Sequence, residues 1–359
     1  TMSILVVGLL MNLLIARFTK FKYVFLTGHH SLFMACLMSA VLGTAGLSGI
    51  ELILVGGFLM GAWSAISPAI GQSYTSKVTD GDEIALGHFG SLGYYLSAWV
   101  AKYVGKAEES TEDIEIPEKW GFLRDSTLST ALTMIVFYLI AAIAAGSEFV
   151  ATLSGSMSPY LFAVMSAMNF AVGVAIVYSG VRMILGDLIP AFQGIATKII
   201  PNAIPAVDCA VFFTYAPTAV VLGFISSFIG GIIGMLVLGA VGGVLIIPGL
   251  VPHFFCGATA GIYGNATGGR RGAAVGAFLN GLAITFLPAL ALPVLGQLGF
   301  QNTTFGDADF AVMGLVLGNA FEWIGMAGIY GVVVIAALVL IIPNFIKTKG
   351  KVINYVEEE

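Results

Sequence analysis

Residues 219–247 read AVVLGFISSFIGGIIGMLVLGAVGGVLII, 29 positions without an ionisable side chain. A helix needs about 20 apolar residues to cross the hydrocarbon core of a bilayer, and this run exceeds that. Similar runs recur at 23–46, 52–70, 128–145, 159–185, 273–295 and 311–342, with a shorter one at 2–16. Over the 359 residues, 58% are hydrophobic and 10% charged, and the mean hydropathy is +0.97. Soluble domains carry about 25% charged residues, so this chain cannot clothe itself for water. The same numbers exclude a disordered chain, a nucleic-acid binder and a disulfide scaffold. The sequence predicts an all-α polytopic membrane protein with about eight crossings and several broken or re-entrant helices.

The net charge of −5 names no partner, but the charges are unevenly placed. Ten of them fall in 105–125, which is expected to be a water-exposed loop with Pro117 as a helix breaker. Arg17, Lys20, Lys22, that loop, Arg270, Arg271 and the tail at 343–359 belong on one side, and the positive-inside rule makes it the cytoplasmic side. Segments 48–51, 147–158 and 297–309 hold no Lys or Arg and belong opposite.

Two regions interrupt the apolar pattern. One is the polar segment 72–88. The other is 186–218, with Pro190, Pro201, Pro205 and Pro217. Pro248, Pro252, Gly257, Gly261 and Gly264 are expected to interrupt the apolar run that begins at 219. Irregular backbone at membrane depth must be sheltered or line a wet cavity, and broken helices point to a transporter site.

Few polar groups lie within apolar surroundings. Asp208 stands out, between Pro205 and Pro217 with no compensating charge nearby in sequence. A lone carboxylate there suits a general base or a hydroxyl acceptor; the alternative is a structural carboxylate that caps a half-helix or pairs with a histidine. His29 and His30 open a span. Side chains of adjacent helical residues diverge by about 100°, so at most one of the two is expected to face a cavity. His88 is a similar candidate. Arg182, Asp187 and Lys198 are expected to satisfy one another rather than line the cytoplasmic mouth, and Asn319 and Glu322 lie one helical turn apart. Cys36, Cys209 and Cys256 read as buried thiols. No metal-ligand spacing, cofactor motif or Gly-Lys-Ser/Thr phosphate loop occurs, so neither a metal site, a cofactor nor direct ATP drive is expected.

Several blocks in order resemble the ascorbate-type membrane subunit, EIIC, of the bacterial phosphotransferase system (PTS), within the ascorbate/galactitol superfamily. They are Thr27-Gly28-His29, Val78-Thr79-Asp80-Gly81 leading to Gly87-His88, Gly180-Val181-Arg182-Met183, Ile200-Pro201-Asn202-Ala203-Ile204, Val207-Asp208-Cys209-Ala210, Tyr215-Ala216-Pro217-Thr218 and Gly268-Gly269-Arg270-Arg271. The resemblance covers essentially the whole of 1–359, read as one EIIC membrane domain. It implies a homodimer in the bacterial inner membrane, with a mobile core and a V-motif dimerising part. The substrate would be phosphorylated by a separate EIIB carrying a phosphocysteine and recharged by EIIA, with the 105–125 loop near their docking surface. His29, His88 and Asp208 match the family's site positions. Two glutamines of the ascorbate carriers correspond to Phe33 and Phe89 here, which implies a changed substrate, since an aromatic ring can stack on a sugar but cannot accept a hydroxyl proton. The family also has spans ahead of the position of Thr1, so a longer gene product is expected. From the residues alone, a cation-coupled secondary transporter with Asp208 as the ion site remains the alternative. A membrane-embedded lipid enzyme would need a nucleophile–base pair or a metal cluster, and the sequence displays neither.

Overall fold

The structure, a computed structural model, describes residues 1–115, 125–296 and 305–345. It is a multi-pass helical membrane protein. Among the described residues, six helices are long and apolar enough to cross a bilayer: α3 (Gly49–Val78), α5 (Ser126–Ala145), α7 (Pro159–Lys198), α9 (Pro217–Ala240), α10 (Leu250–Gly296) and α12 (Met326–Ile341, prolonged by a 3-10 turn, Ile342–Phe345). Between them lie shorter helices: α1 (Met2–Phe18), α2 (Gly28–Thr44), α4 (Ser91–Val104), α6 (Ser147–Ser154), α8 (Cys209–Phe212) and α11 (Ala308–Ile324). The expected eight crossings thus divide into six long helices and several pieces that go part-way. At about 1.5 Å per residue, a 14- or 17-residue helix falls short of a roughly 30 Å core.

The feature that positions everything else is a small parallel sheet of β1 (Tyr23–Phe25), β2 (Ala85–Leu86) and β3 (Ile204–Val207), in the order β1-β3-β2. Tyr23 pairs with Ile204 and Phe25 with Ala206 on one side of β3, while Ala85 pairs with Ala206 and Leu86 with Val207 on the other. The ladder is extended by Leu26 N–H to Ala206 O (3.0 Å) and Gly87 N–H to Val207 O (2.7 Å). Segment 23–46 is therefore no single span. Its first residues exchange hydrogen bonds with β3, and a short apolar run does not by its pattern separate strand from helix. Proline is disfavoured inside a sheet, yet Pro205 sits in the central strand. The N–H groups of β3 alternate sides: Ile204 N–H donates to Lys22 O (2.8 Å) toward β1, so position 205 faces the β2 side, one residue before β2 begins.

Three further differences have physical causes. Helix α7 runs unbroken through position 190 to Lys198, so the interruption begins at Ile199 and not at Gly186; isolated prolines are tolerated in membrane helices. Gly257 and Gly261 do not interrupt α10 but allow α9 to touch it. A Cβ at position 261 would stand 2.6 Å from Gly223 Cα and 2.7 Å from Ala219 O, the close backbone approach typical of small residues in membranes. The real break in α10 is at Gly268–Gly269, where Gly269 has φ of 59°, a conformation that suits glycine. Segment 311–342 is likewise two helices, α11 and α12, meeting at Gly325 with φ of 60°.

The start of the 105–125 loop folds back on this break. Arg270 N–H donates to Glu109 O (2.8 Å), Thr111 N–H to Asn265 Oδ1 (2.8 Å), and the Glu112 carboxylate accepts from Thr218 N–H (3.1 Å) and Ala219 N–H (3.0 Å), capping α9. Residues 116–124 with Pro117, 297–304 and the tail from 346 onward lie outside the described residues, as does the side chain of Arg182. Asp187 and Lys198 are exposed.

Candidate functional site

Parallel strands place their C-terminal ends together, and each strand of this sheet ends next to a candidate residue. After β1 the chain turns at Thr27 into α2, whose first residues are Gly28, His29 and His30. After β2 come Gly87 and His88, and α4 follows. After β3 comes Asp208, the N-cap residue of α8. Gly87 is required where it stands, because a Cβ there would lie 2.6 Å from the Ala206 carbonyl carbon and closer still to its oxygen. The Thr27 hydroxyl donates to Gly87 O and ties the ends of the two outer strands to one another.

The three predicted residues meet. His29 Nε2 lies 3.6 Å from Asp208 Oδ2, and His88 Nε2 lies 3.9 Å from Asp208 Oδ1. Together they line a cavity of about 730 Å³, within the usual range for small-molecule sites. His29 and Asp208 are open to it, with 57% and 34% of their side chains exposed, while His88 is buried in its wall. Asp208, uncompensated in the sequence, is flanked in the fold by two imidazoles.

Phe33 also lines the cavity and is half exposed (48%). Phe89 does not. Fully buried, it stacks on Phe25 at 4.5 Å and packs against Phe310, behind the wall. The expectation that it touches substrate is corrected accordingly: the chain after His88 turns inward toward the sheet, and the side chain at 89 goes with it.

The sequence reading missed several groups. His30 lines the cavity as well as His29. Its ring packs on His88 with centroids 3.8 Å apart, and its Nε2 lies 3.7 Å from Asp307 Oδ2. Asp307, the N-cap residue of α11, also accepts a hydrogen bond from Cys256 Sγ (2.8 Å). Asp309, fully buried, accepts from Ser91 Oγ (2.8 Å), Leu92 N–H (3.0 Å) and Trp63 Nε1 (3.1 Å), and its own N–H donates to Phe89 O (2.9 Å). It thereby clasps the first turns of α4 and α11 together. The segment 297–309, expected on the extracytoplasmic surface, thus ends inside the protein. The pattern Asp307-Ala308-Asp309 ahead of an apolar run is an N-terminal helix signal and could have revealed it.

Both buried imidazoles are oriented by the main chain. Phe89 N–H donates to His30 Nδ1 (3.3 Å) and Gly90 N–H to His88 Nδ1 (3.2 Å), with the Tyr94 hydroxyl 2.9 Å from the latter. Each Nδ1 is therefore an acceptor, and each ring carries its proton on Nε2, facing a carboxylate. Spacing gave no sign of metal ligands, yet the fold brings two sets of ligand-type atoms within 4.8 Å of one another: His30, His88 and Asp307, and His88, Asp208 and Cys209. With both Nε2 atoms protonated, these sets are arrays of N–H donors and carboxylate acceptors, the complement of a hydroxylated ligand. Away from the membrane-spanning segments, Tyr215 donates to Asp82 Oδ2 (2.7 Å), linking the loops after α3 and α8; burial first, and then the carboxylate, raise the pKa of its hydroxyl.

Residues 1–309 match the family EIIC-GAT, the PTS system sugar-specific permease component. The chain belongs to that family. A relative within it is the "Ascorbate-specific PTS system EIIC component" of Mycoplasma pneumoniae, 24% identical over 307 residues, covering 73% of this chain and 46% of the relative. The chain thus spans about half the length of the curated relative it matches. The family match takes in the sheet, the three strand-end residues and Asp307, and it stops at Asp309, in the first turn of α11.

Proposed function

We propose that the protein is the membrane permease subunit of a bacterial phosphotransferase system, importing an ascorbate-like sugar or sugar acid as it is phosphorylated by a separate EIIB. The observation that carries this reading is the convergence of His29, His88 and Asp208, from three strand ends, on one cavity sized for a sugar. Family membership and the ascorbate-specific relative support it. His29 and His88 orient the substrate. The Asp208 carboxylate accepts a hydrogen bond from the reacting hydroxyl and takes its proton as that oxygen attacks the phosphorus of the EIIB phosphocysteine. The P–S bond breaks, the P–O bond forms, and EIIB leaves with a free thiolate to be rephosphorylated from EIIA. A homodimer in the bacterial inner membrane, with a mobile core, a V-motif dimerising part and the 105–125 loop facing the cytoplasm, belongs to the same proposal.

Uptake into vesicles bearing the full-length protein tests it, with enzyme I, HPr, EIIA, EIIB and phosphoenolpyruvate supplied on the cytoplasmic side. Phosphorylated product on that side, dependent on EIIB, is expected. Unphosphorylated accumulation driven by a proton or sodium gradient, without the soluble partners, would overturn the coupled mechanism in favour of a cation-coupled carrier.

A further inference from the structure

Among the described residues, two carboxylates line the cavity, Asp208 and Asp307, and the proposed phosphotransfer uses one. Asp307 stands at the start of α11, with Oδ1 accepting from the Cys256 thiol (2.8 Å) and Oδ2 3.7 Å from His30 Nε2. Asp208 stands at the end of β3, beside His29 and His88. Between the two acids lie the packed rings of His30 and His88. Among the described residues that line the cavity there is no Lys or Arg.

The two buried histidines, His30 and His88, do not supply the missing positive charge. A second proton on either buried ring would sit on Nδ1, against the N–H of Phe89 or Gly90 that now points there. With centroids 3.8 Å apart, the two rings are also poorly placed to be cations together. Helix N-termini ordinarily attract anions, and two of those near the cavity already have a carboxylate beside them. Asp307 is the N-cap residue of α11, although its side chain makes no capping bond, and the Asp309 carboxylate binds the Leu92 N–H in the first turn of α4. The N-terminal turn of α2 carries His29 and His30 instead. The cavity therefore offers ring N–H donors and carboxylate acceptors with a surplus of negative charge.

We infer that Asp307 is a second substrate-binding carboxylate, which with Asp208 makes the cavity select uncharged polyhydroxylated compounds (polyols or lactone-ring sugars) over the corresponding sugar-acid anions. A hydroxyl group both donates and accepts, so it satisfies a carboxylate and an imidazole N–H together. An anionic ligand would face two like charges in a desolvated space, and such juxtaposition discriminates strongly between partners. The inference rests on the sugar-permease reading of the site and narrows its substrate from sugars and sugar acids to the uncharged class.

The test is ligand binding to the purified full-length protein in nanodiscs, without any soluble phosphotransferase component, at pH 7.5. The probes are matched pairs: each common hexitol with the aldonate of the same stereochemistry, and L-gulono-1,4-lactone with L-ascorbate. At least one uncharged probe is expected to bind, and its anionic counterpart to bind at least about tenfold more weakly. Asp307→Asn keeps an acceptor for Cys256 and removes the charge; it is expected to reduce that ratio about tenfold, mainly by strengthening the anion. Asp307→Ser serves the same purpose if the amide variant does not fold, and the wild-type ratio stands without either. Equal or tighter binding of the anions by the wild type would overturn the inference, as would binding of no probe. So would an unchanged ratio in a variant that keeps the wild-type melting temperature. The vesicle experiment fails separately: unphosphorylated uptake would overturn the coupled mechanism and leave this charge preference standing.

Discussion

Replacing Gly87 by alanine tests whether the strand ends build the site. A methyl group at position 87 would lie 2.6 Å from the Ala206 carbonyl carbon and 3.1 Å from Val207 N. Ordinary contact begins at 3.4 Å, and the opposing atoms are backbone in the central strand, so relief requires β2 to move by about 1 Å. That shift would break the 2.7 Å bond from Gly87 N–H to Val207 O and the bond from the Thr27 hydroxyl to Gly87 O. A buried donor left unpaired costs about 1–3 kcal/mol, so the two together cost roughly 2–6 kcal/mol of local stability. The His88 ring, one residue on, would be carried away from Asp208, now 3.9 Å distant. Misplacing an active group by about 1 Å can cost on the order of 100-fold. The assay is equilibrium binding of L-gulono-1,4-lactone and L-ascorbate to the variant in nanodiscs, with the melting temperature recorded alongside. The expected result is a weakening of at least about tenfold for whichever probe the wild type binds more tightly. Wild-type affinity at a wild-type melting temperature would refute the reasoning, because it would mean that the register of β2 does not position His88.

Asp309→Ala removes an acceptor used by Ser91, Leu92 and Trp63; at about 1–3 kcal/mol per orphaned donor, thermal unfolding should show a loss of several kcal/mol and release of α11 from α4. Gly261→Leu places a side chain where even a Cβ meets Gly223 and Ala219 O, so folded protein recovered by size-exclusion chromatography should fall severely, whereas leucine at Gly331, with open space around it, should be tolerated. Glu112→Ala uncaps α9 and should cost about 1 kcal/mol, read as a small drop in melting temperature with substrate affinity unchanged.

The membrane class was legible because it rests on composition and run length, both local properties. His29, His88 and Asp208 were legible as polar groups in apolar surroundings, and they do meet. The sheet was not, because nine residues in three short strands leave no periodicity, and Pro205 argues locally against a central strand. Phe89 was misplaced, since position along the chain does not say which way a side chain turns after a strand end. Gly257 and Gly261 were read as interruptions, although a glycine in a membrane helix can equally mark a packing contact. Asp307 and Asp309 were missed because a segment without Lys or Arg looks like an external loop until the fold draws its end inward. The metal-type clusters escaped for the same reason: their members come from α2, α4's approach, β3's end and α11, and only the tertiary structure brings them together.

In the proposed function, Asp208 binds the substrate where the three strand ends meet. The most direct measurement is the dissociation constant of the better-bound lactone or ascorbate probe for Asp208→Asn against the wild type. A hydrogen bond to a charged group contributes about 1.5–3 kcal/mol, so weakening of about 10- to 100-fold is predicted at an unchanged melting temperature. Binding within twofold of the wild type in a folded variant would contradict it.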